Sequence, residues 1–386
     1  MSRTVYLDNN ATTAVAPEVL EAMLPFFCDQ YGNPSSMHSF GGQVGRAVEN
    51  ARASVAGLLG ADPSEIIFTS CGSEADNHAI LGAVEAMGPQ TVVITSRVEH
   101  PAVLEPCRIL RERGHKVLPI GVDGVGQLDL QELAAALMEP GPKFVSIMWA
   151  NNETGVVFPL QEVARMVKAA DGVLHTDAVQ AIGKLDVDLS RLPVDLLALS
   201  GHKIHAPKGV GALYVRRGTR LNSFLHGGHQ ERGRRAGTEN VPGIVGLGAA
   251  AALAREELGA ESRRQAELRD RLEEGLLRTC PDTRINGDRR QRLPNTTNIS
   301  FEFIEGEAIL YHLSDAGVCA SSGSACTSGT LEPSHVIRAM GVPFTAVHGS
   351  IRFSLSRYNT AADIDRVLEV MPGIVNKLRA LSPFVK

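Results

Sequence analysis

Lys203 stands where a short apolar run, Val194 to Leu199, gives way to Ser200-Gly201-His202. A strand that stops on a glycine turn presents its next side chains at the end of a sheet. An amine held there is poorly solvated and nucleophilic, which is what a Schiff-base lysine requires. A surface lysine beside a loop is the competing reading of the same residues.

Other chemistry-bearing residues follow a similar pattern. Thr69-Ser70-Cys71-Gly72-Ser73-Glu74-Ala75-Asp76 places small residues before a helical stretch. Ser73 and Asp76 have the spacing of a capping box, and a helix start preceded by small residues is suited to a phosphate. No Walker lysine pattern and no G-x-G-x-x-G occurs, so triphosphate and dinucleotide readings are weak. His100 lies at a strand-to-helix junction. Ala150-Asn151-Asn152-Glu153-Thr154-Gly155 and His175-Thr176-Asp177-Ala178-Val179-Gln180 are two more polar strand exits. The glycine-rich segment from His226 to Thr238 offers arginine and hydroxyl donors to an anion, or crosses to another subunit. Cys326 sits in the small-residue run Ser321 to Gly329, which cannot bury a thiol well, and an exposed thiol is avoided unless it is used. Arg352, inside the strand-like Ser350 to Leu355, needs a partner, and its planar fork suits a carboxylate.

The elements that must position these residues are legible as alternation. Ile66–Thr69, 92–95, 116–120, 144–148, 173–175, 196–199 and Gly211–Val215 read as short buried strands. Amphipathic helical stretches lie between most of them, at 74–87, 101–113, 129–138 and 159–170. This is an α/β pattern with a largely parallel sheet, whose ligands bind at the carboxyl ends of the strands. Residues 17–27 read as one short helix and 42–59 as another. A long helix over 243–278 is a natural place for a domain boundary, and the remainder reads as a small α+β domain.

Composition narrows the class. At 386 residues the chain suggests two domains, and a net charge of -5 names neither a polyanion nor an anionic membrane as partner. Aromatic residues at 5% argue against base-stacking platforms. No run is long and apolar enough to span a bilayer, and no leader is apparent. The cysteines at 28, 71, 107, 280, 319 and 326 form no C-x-x-C pair, which argues against a zinc site or disulfide scaffold and points to the cytoplasm.

Taken together, a Schiff-base lysine, a phosphate cradle and an acid for a ring nitrogen fit pyridoxal phosphate. The sequence resembles the class V aminotransferase group of fold-type I pyridoxal-phosphate enzymes, and within it the cysteine desulfurases of the NifS type. The motifs that carry the likeness are Tyr6-Leu7-Asp8-Asn9-Asn10-Ala11-Thr12-Thr13, Ser200-Gly201-His202-Lys203 and Ser322-Gly323-Ser324-Ala325-Cys326-Thr327-Ser328. Thr69-Ser70-Cys71-Gly72, Trp149 to Gly155 and Gly228 to Asn240 carry the narrower likeness. The resemblance implies a large domain with a mainly parallel seven-stranded sheet (13–257) and a smaller α+β domain (1–12 and 258–386) carrying the Cys326 loop. It implies Lys203 as the Schiff-base lysine and catalytic proton carrier, Cys326 as sulfur acceptor, and His100 stacking on the ring and assisting proton transfer. Gly72, Ser73, Ser200 and His202 would contact the phosphate, joined by Thr238 from the other subunit of a homodimer. Asp177 would pair with the ring nitrogen and Gln180 with the ring hydroxyl. Asn152, which also borders the cofactor, would hold the substrate carboxylate with Arg352 and Asn33. L-cysteine is the implied substrate and a NifU-type scaffold the implied acceptor. No metal site is implied beyond contact of Cys326 with an iron–sulfur cluster in transit. Housekeeping iron–sulfur assembly, selenocysteine lyase, another reaction on the same cofactor and a non-catalytic sulfur carrier remain open alternatives.

Overall fold

A computed structural model describes residues 4–322 and 333–383. Its centre is a seven-stranded sheet in the order Ile66–Thr69, Gly211–Val215, Leu196–Ser200, Val173–Asp177, Lys143–Ser146, Val92–Ser96, Val117–Ile120. Gly211–Val215 runs antiparallel to both its neighbours, and the other pairings are parallel. The exception has a simple cause. Residues 201–210 are too few to carry a helical crossover, so the chain can only turn back.

Alternation along the strands serves two cores. Ile66 and Phe68 belong to one apolar cluster and Ile67 to the other. Leu197 and Leu199 face the first, while Leu196 and Ala198 face the second. A side-chain period of two does this automatically once both faces are covered. On the second face the helix Gly72–Met87 contributes Ala75, Ala79, Ile80 and Ala83, and Pro101–Glu112 contributes Val103, Cys107 and Leu110.

A third core lies under a smaller antiparallel sheet, Ser350–Ser354, Thr296–Phe301 and Thr283–Ile285. It also holds Val5, from the N-terminal strand Val5–Tyr6 that pairs in parallel with Val318–Cys319, and Leu7 just after it. The helix Val241–Thr279, about 58 Å long at 1.5 Å per residue, serves both regions. Ile244, Leu247 and Ala250 pack in the large cluster, and Leu272 and Leu276 in the small one. The segment from Val336 to Val347 packs with the large cluster, although its chain neighbours build the small sheet.

Two local expectations are corrected. Residues 17–27 do not form one helix: Pro17–Met23 ends and Pro25–Cys28 begins anew, because Pro25 cannot donate a backbone hydrogen bond. The capping box of Ser73 and Asp76 is absent. The helix starts at Gly72 with Cys71 as its N-cap, no side chain caps it, and Asp76 is buried.

Candidate active site

The strand exits open into a cavity of about 430 Å³ at the carboxyl ends of Val173–Asp177 and Leu196–Ser200. Its wall includes Gly72, Ser73, His100, Asn152, Asp177, Gln180, Ser200, His202, Lys203 and Arg352, drawn from separate stretches of chain. Among the described residues no cluster of His, Cys, Asp or Glu could hold a metal. None of the described helices is long and apolar enough to cross a membrane.

One end of the cavity suits a phosphate. The N-terminus of Gly72–Met87 faces it without a side-chain cap, so backbone N–H groups and the helix dipole favour an anion there. Glycine is required at 72. A Cβ would stand 2.8 Å from Val179 Cγ2 and 3.3 Å from Ser200 Cβ, closing the space. His202 Nδ1 lies 3.1 Å from Thr12 Oγ1. Burial pushes its pKa down to about 4, helped by Lys203 and Lys208, so it meets an anion as a neutral hydrogen-bonding ring.

The floor is acidic. Asp177 is 6% exposed and accepts a hydrogen bond from Val179 N at 2.9 Å. Burial raises its pKa, while the charges of His100 and Lys203 pull it down. Asp76 lines the same cavity, and its pKa is raised well above the ordinary range by burial and then by Asp177 and Glu99. Its Oδ1 has no hydrogen-bond partner and lies 3.4 Å from His175 Nε2. Glu99 is pushed up to about 8 by burial, against hydrogen bonds from Ser96 Oγ and Met148 N. His100 is N-cap of Pro101–Glu112, and its Nδ1 accepts from Ala102 N at 3.1 Å. Burial lowers its pKa, and the neutral ring therefore carries its proton on Nε2.

The N-terminal segment closes the site from above. Lys203 Nζ donates to the carbonyls of Asn10 at 2.5 Å and Ala11 at 2.8 Å. Gln180 Nε2 also donates to Asn10 O, at 2.9 Å, while its Oε1 accepts from Lys184. Arg352 reaches in from the small sheet. Its Nη1 donates to Asn152 O at 2.9 Å and its Nη2 to Asp8 Oδ1 at 2.6 Å.

These residues fit pyridoxal phosphate. An uncapped helix start, a buried carboxylate and the Lys203 amine all line the same cavity. Thr238 is exposed and does not line its own chain's cavity. Its loop is clamped at Glu231, which accepts from Arg52 at 2.7 and 3.0 Å and from Phe68 N at 3.1 Å. Arg235 pairs with Glu74 at 2.8 Å. Asn33 lies on an exposed loop, accepting from Ser35 N, and is not brought to the cavity. Cys326 lies outside the described residues. Asn10, Ala11, Asp76, Glu153, Ser334 and His335 also line the cavity and were not anticipated as site residues. For Asp76 a signal existed: it is four residues after Gly72, on the same helix face.

The aminotransferase class-V family model matches residues 5–367. A protein described as cysteine desulfurase from Trichormus azollae is 61% identical over 380 residues, covering 98% of this chain and 95% of its own. The cysteine desulfurase NifS of Azotobacter vinelandii is 57% identical over 381 residues, covering 98% and 94%. A solved structure described as a NifS-like protein superposes with a TM-score of 0.91 at 41% identity, covering 97% of this chain and all of the other. Another, described as SspA in complex with cysteine, gives 0.81 at 36%, covering 92% and 99%.

Proposed function

The chain belongs to the class-V aminotransferase family of pyridoxal-phosphate enzymes, and on that premise we propose that it is a cysteine desulfurase. The observation that carries this reading is the convergence of Lys203, Asp177, His100 and Arg352 on one cavity. Bound pyridoxal phosphate supplies an electron sink for charge at the substrate α-carbon. Lys203 would hold the cofactor and, once its amine is free, would take the α-proton. Asp177 would keep a proton on the ring nitrogen. Gly72, Ser73, Ser200 and His202 would bind the phosphate, Gln180 would serve the ring hydroxyl, and His100 would lie against the ring. Arg352 and Asn152 hold the substrate carboxylate.

The Cys326 thiolate attacks the sulfur of L-cysteine. A sulfur–sulfur bond forms as the carbon–sulfur bond breaks, and the electron pair stays on the β-carbon. That carbon takes one proton to become the methyl of L-alanine, and the α-carbon regains the proton it lost. The sulfur is oxidised and the carbon reduced, so no outside reductant is needed. Cys326 keeps the sulfur as a persulfide for iron–sulfur cluster assembly. Delivery to nitrogenase clusters through a NifU-type scaffold is the narrower proposal, supported by the NifS-type relatives. Thr238 completes the phosphate site of the second subunit of a homodimer, in keeping with its exposed position on a clamped loop.

The test is Cys326→Ala beside Lys203→Ala. The first retains visible cofactor absorbance and loses more than about 99% of sulfide release, some two decades of rate or about 3 kcal/mol. The second loses both absorbance and activity. Full sulfide release by Cys326→Ala would rule out the persulfide route and favour a lyase.

A further inference from the structure

Asp8, in the N-terminal Asp-Asn-Asn segment, touches the site but has no part in the chemistry above. We propose that Asp8 is a positioning residue for substrate recognition: its carboxylate fixes the Arg352 guanidinium in the orientation that receives the substrate carboxylate. This inference rests on the reading of Arg352 as the carboxylate ligand.

A guanidinium has five N–H donors in one plane. Asp8 Oδ1 takes one at Nη2 and the Asn152 carbonyl takes one at Nη1. Two anchors on the terminal nitrogens fix the plane and leave donors for a further acceptor. The Arg352 side chain is only 4% exposed and lines the cavity. A cation so buried needs a fixed counter-charge. Asp8 cannot drift away. Its backbone bridges in parallel to Ser354, two residues along the same strand as Arg352. Ser354 N donates to Leu7 O at 2.8 Å, and Asn9 N donates to Ser354 O at 3.2 Å. Asn10 N donates to Ser354 Oγ at 2.9 Å, and Asn10 Nδ2 donates to Asn152 O at 3.1 Å. One tripeptide thus sets Arg352, Asn152 and, through the Asn10 carbonyl, Lys203.

The experiment compares Asp8→Ala, Asp8→Asn and Arg352→Lys in the holoenzyme with L-cysteine, measuring KM and kcat separately. Asp8→Ala should raise KM about tenfold, the scale of one lost hydrogen bond to a charged group, with kcat falling less than threefold. Asp8→Asn keeps an acceptor oxygen and should recover part of the loss. Cofactor absorbance should stay near wild type in Asp8→Asn, and its Tm should fall less than that of Asp8→Ala. An unchanged KM in both Asp8 variants, with KM raised in Arg352→Lys, overturns the role of Asp8 alone. An unchanged KM in Arg352→Lys overturns the carboxylate-ligand reading and this inference with it. A loss of kcat and Tm together in both Asp8 variants, without a KM change, shows a merely structural residue.

Discussion

Glu99, beside the cofactor floor, and Glu273, in the seam between the long helix and the small sheet, are both fully buried, yet their pKa values move in opposite directions. Burial pushes Glu99 up to about 8, and none of the described cations opposes it. Burial also pushes Glu273 upward, but hydrogen bonds from Arg292 and Thr297 and the charges of Arg292 and Arg289 outweigh it, so its pKa falls. Arg292 Nη1 lies 2.5 Å from Glu273 Oε2, with 5% and 0% of the side chains exposed. The two regions therefore follow different electrostatic plans. The seam is compensated within the chain and is fixed. The floor brings Asp76 and Asp177 to the cavity, with Glu99 buried nearby and no guanidinium among their described partners, so its charge depends on what enters the cavity. Lys203 is a cation that already faces Asp177 there, and the proposed ring nitrogen would be a further one.

Three experiments sharpen this contrast, from the largest effect downward. Asp177→Asn removes the anion of the floor at nearly constant shape. Turnover of L-cysteine should fall roughly a thousandfold, the equivalent of about 4 kcal/mol, measured on cofactor-loaded protein. A loss under about tenfold would mean that the floor does not work through an ionised Asp177.

Glu273→Ala should destabilise the protein by about 3 kcal/mol, because it strips the buried Arg292 of its buried partner and leaves it only the half-exposed Asp270 at 3.1 Å. Chemical denaturation measures it. A cost below about 1 kcal/mol, as for a surface pair, would erase the distinction between the regions.

The smallest effect is a pH signature. Glu99 has a higher pKa folded than unfolded, so it binds more protons in the native state between about 4.5 and 8. Its stabilising contribution is complete below the unfolded value and disappears as pH rises through the folded one. Relative to Glu99→Gln, the parent protein should lose about 2 kcal/mol between about pH 5 and about pH 8, roughly half of what the full shift allows. Glu273→Gln should show the opposite sign. The parent's advantage is present above the ordinary glutamate pKa and is lost as pH falls through the lowered folded value. Parallel pH slopes in the two variants would contradict the contrast.

The floor was largely legible in the sequence. Apolar runs such as Leu196–Ser200 end abruptly in polar residues, and a sheet edge gathers such endings whatever lies between them. The ceiling was not. Lys203 is held by the carbonyls of Asn10 and Ala11, and a backbone carbonyl carries no side-chain signature. Asp76 looked like a cap because its spacing to Ser73 is that of a capping box, but burial of that helix face turned it inward. Nothing in the sequence singled out Glu273 on the long helix, and only its partner, nineteen residues away, makes it part of a seam.

The sequence by itself determined which chemistry was available: a lysine after a strand, an acid after another, and a thiol in a run of small residues at Cys326. Local patterning suffices there, because strand ends and turns are set by neighbouring residues. Tertiary structure decided which charges are neutralised and which are left waiting. Asp8 and Arg352 are 344 residues apart in the chain and 2.6 Å apart in the fold. A carboxylate's charge state depends on the burial and counter-charge within a few ångströms of it, and those are properties of packing.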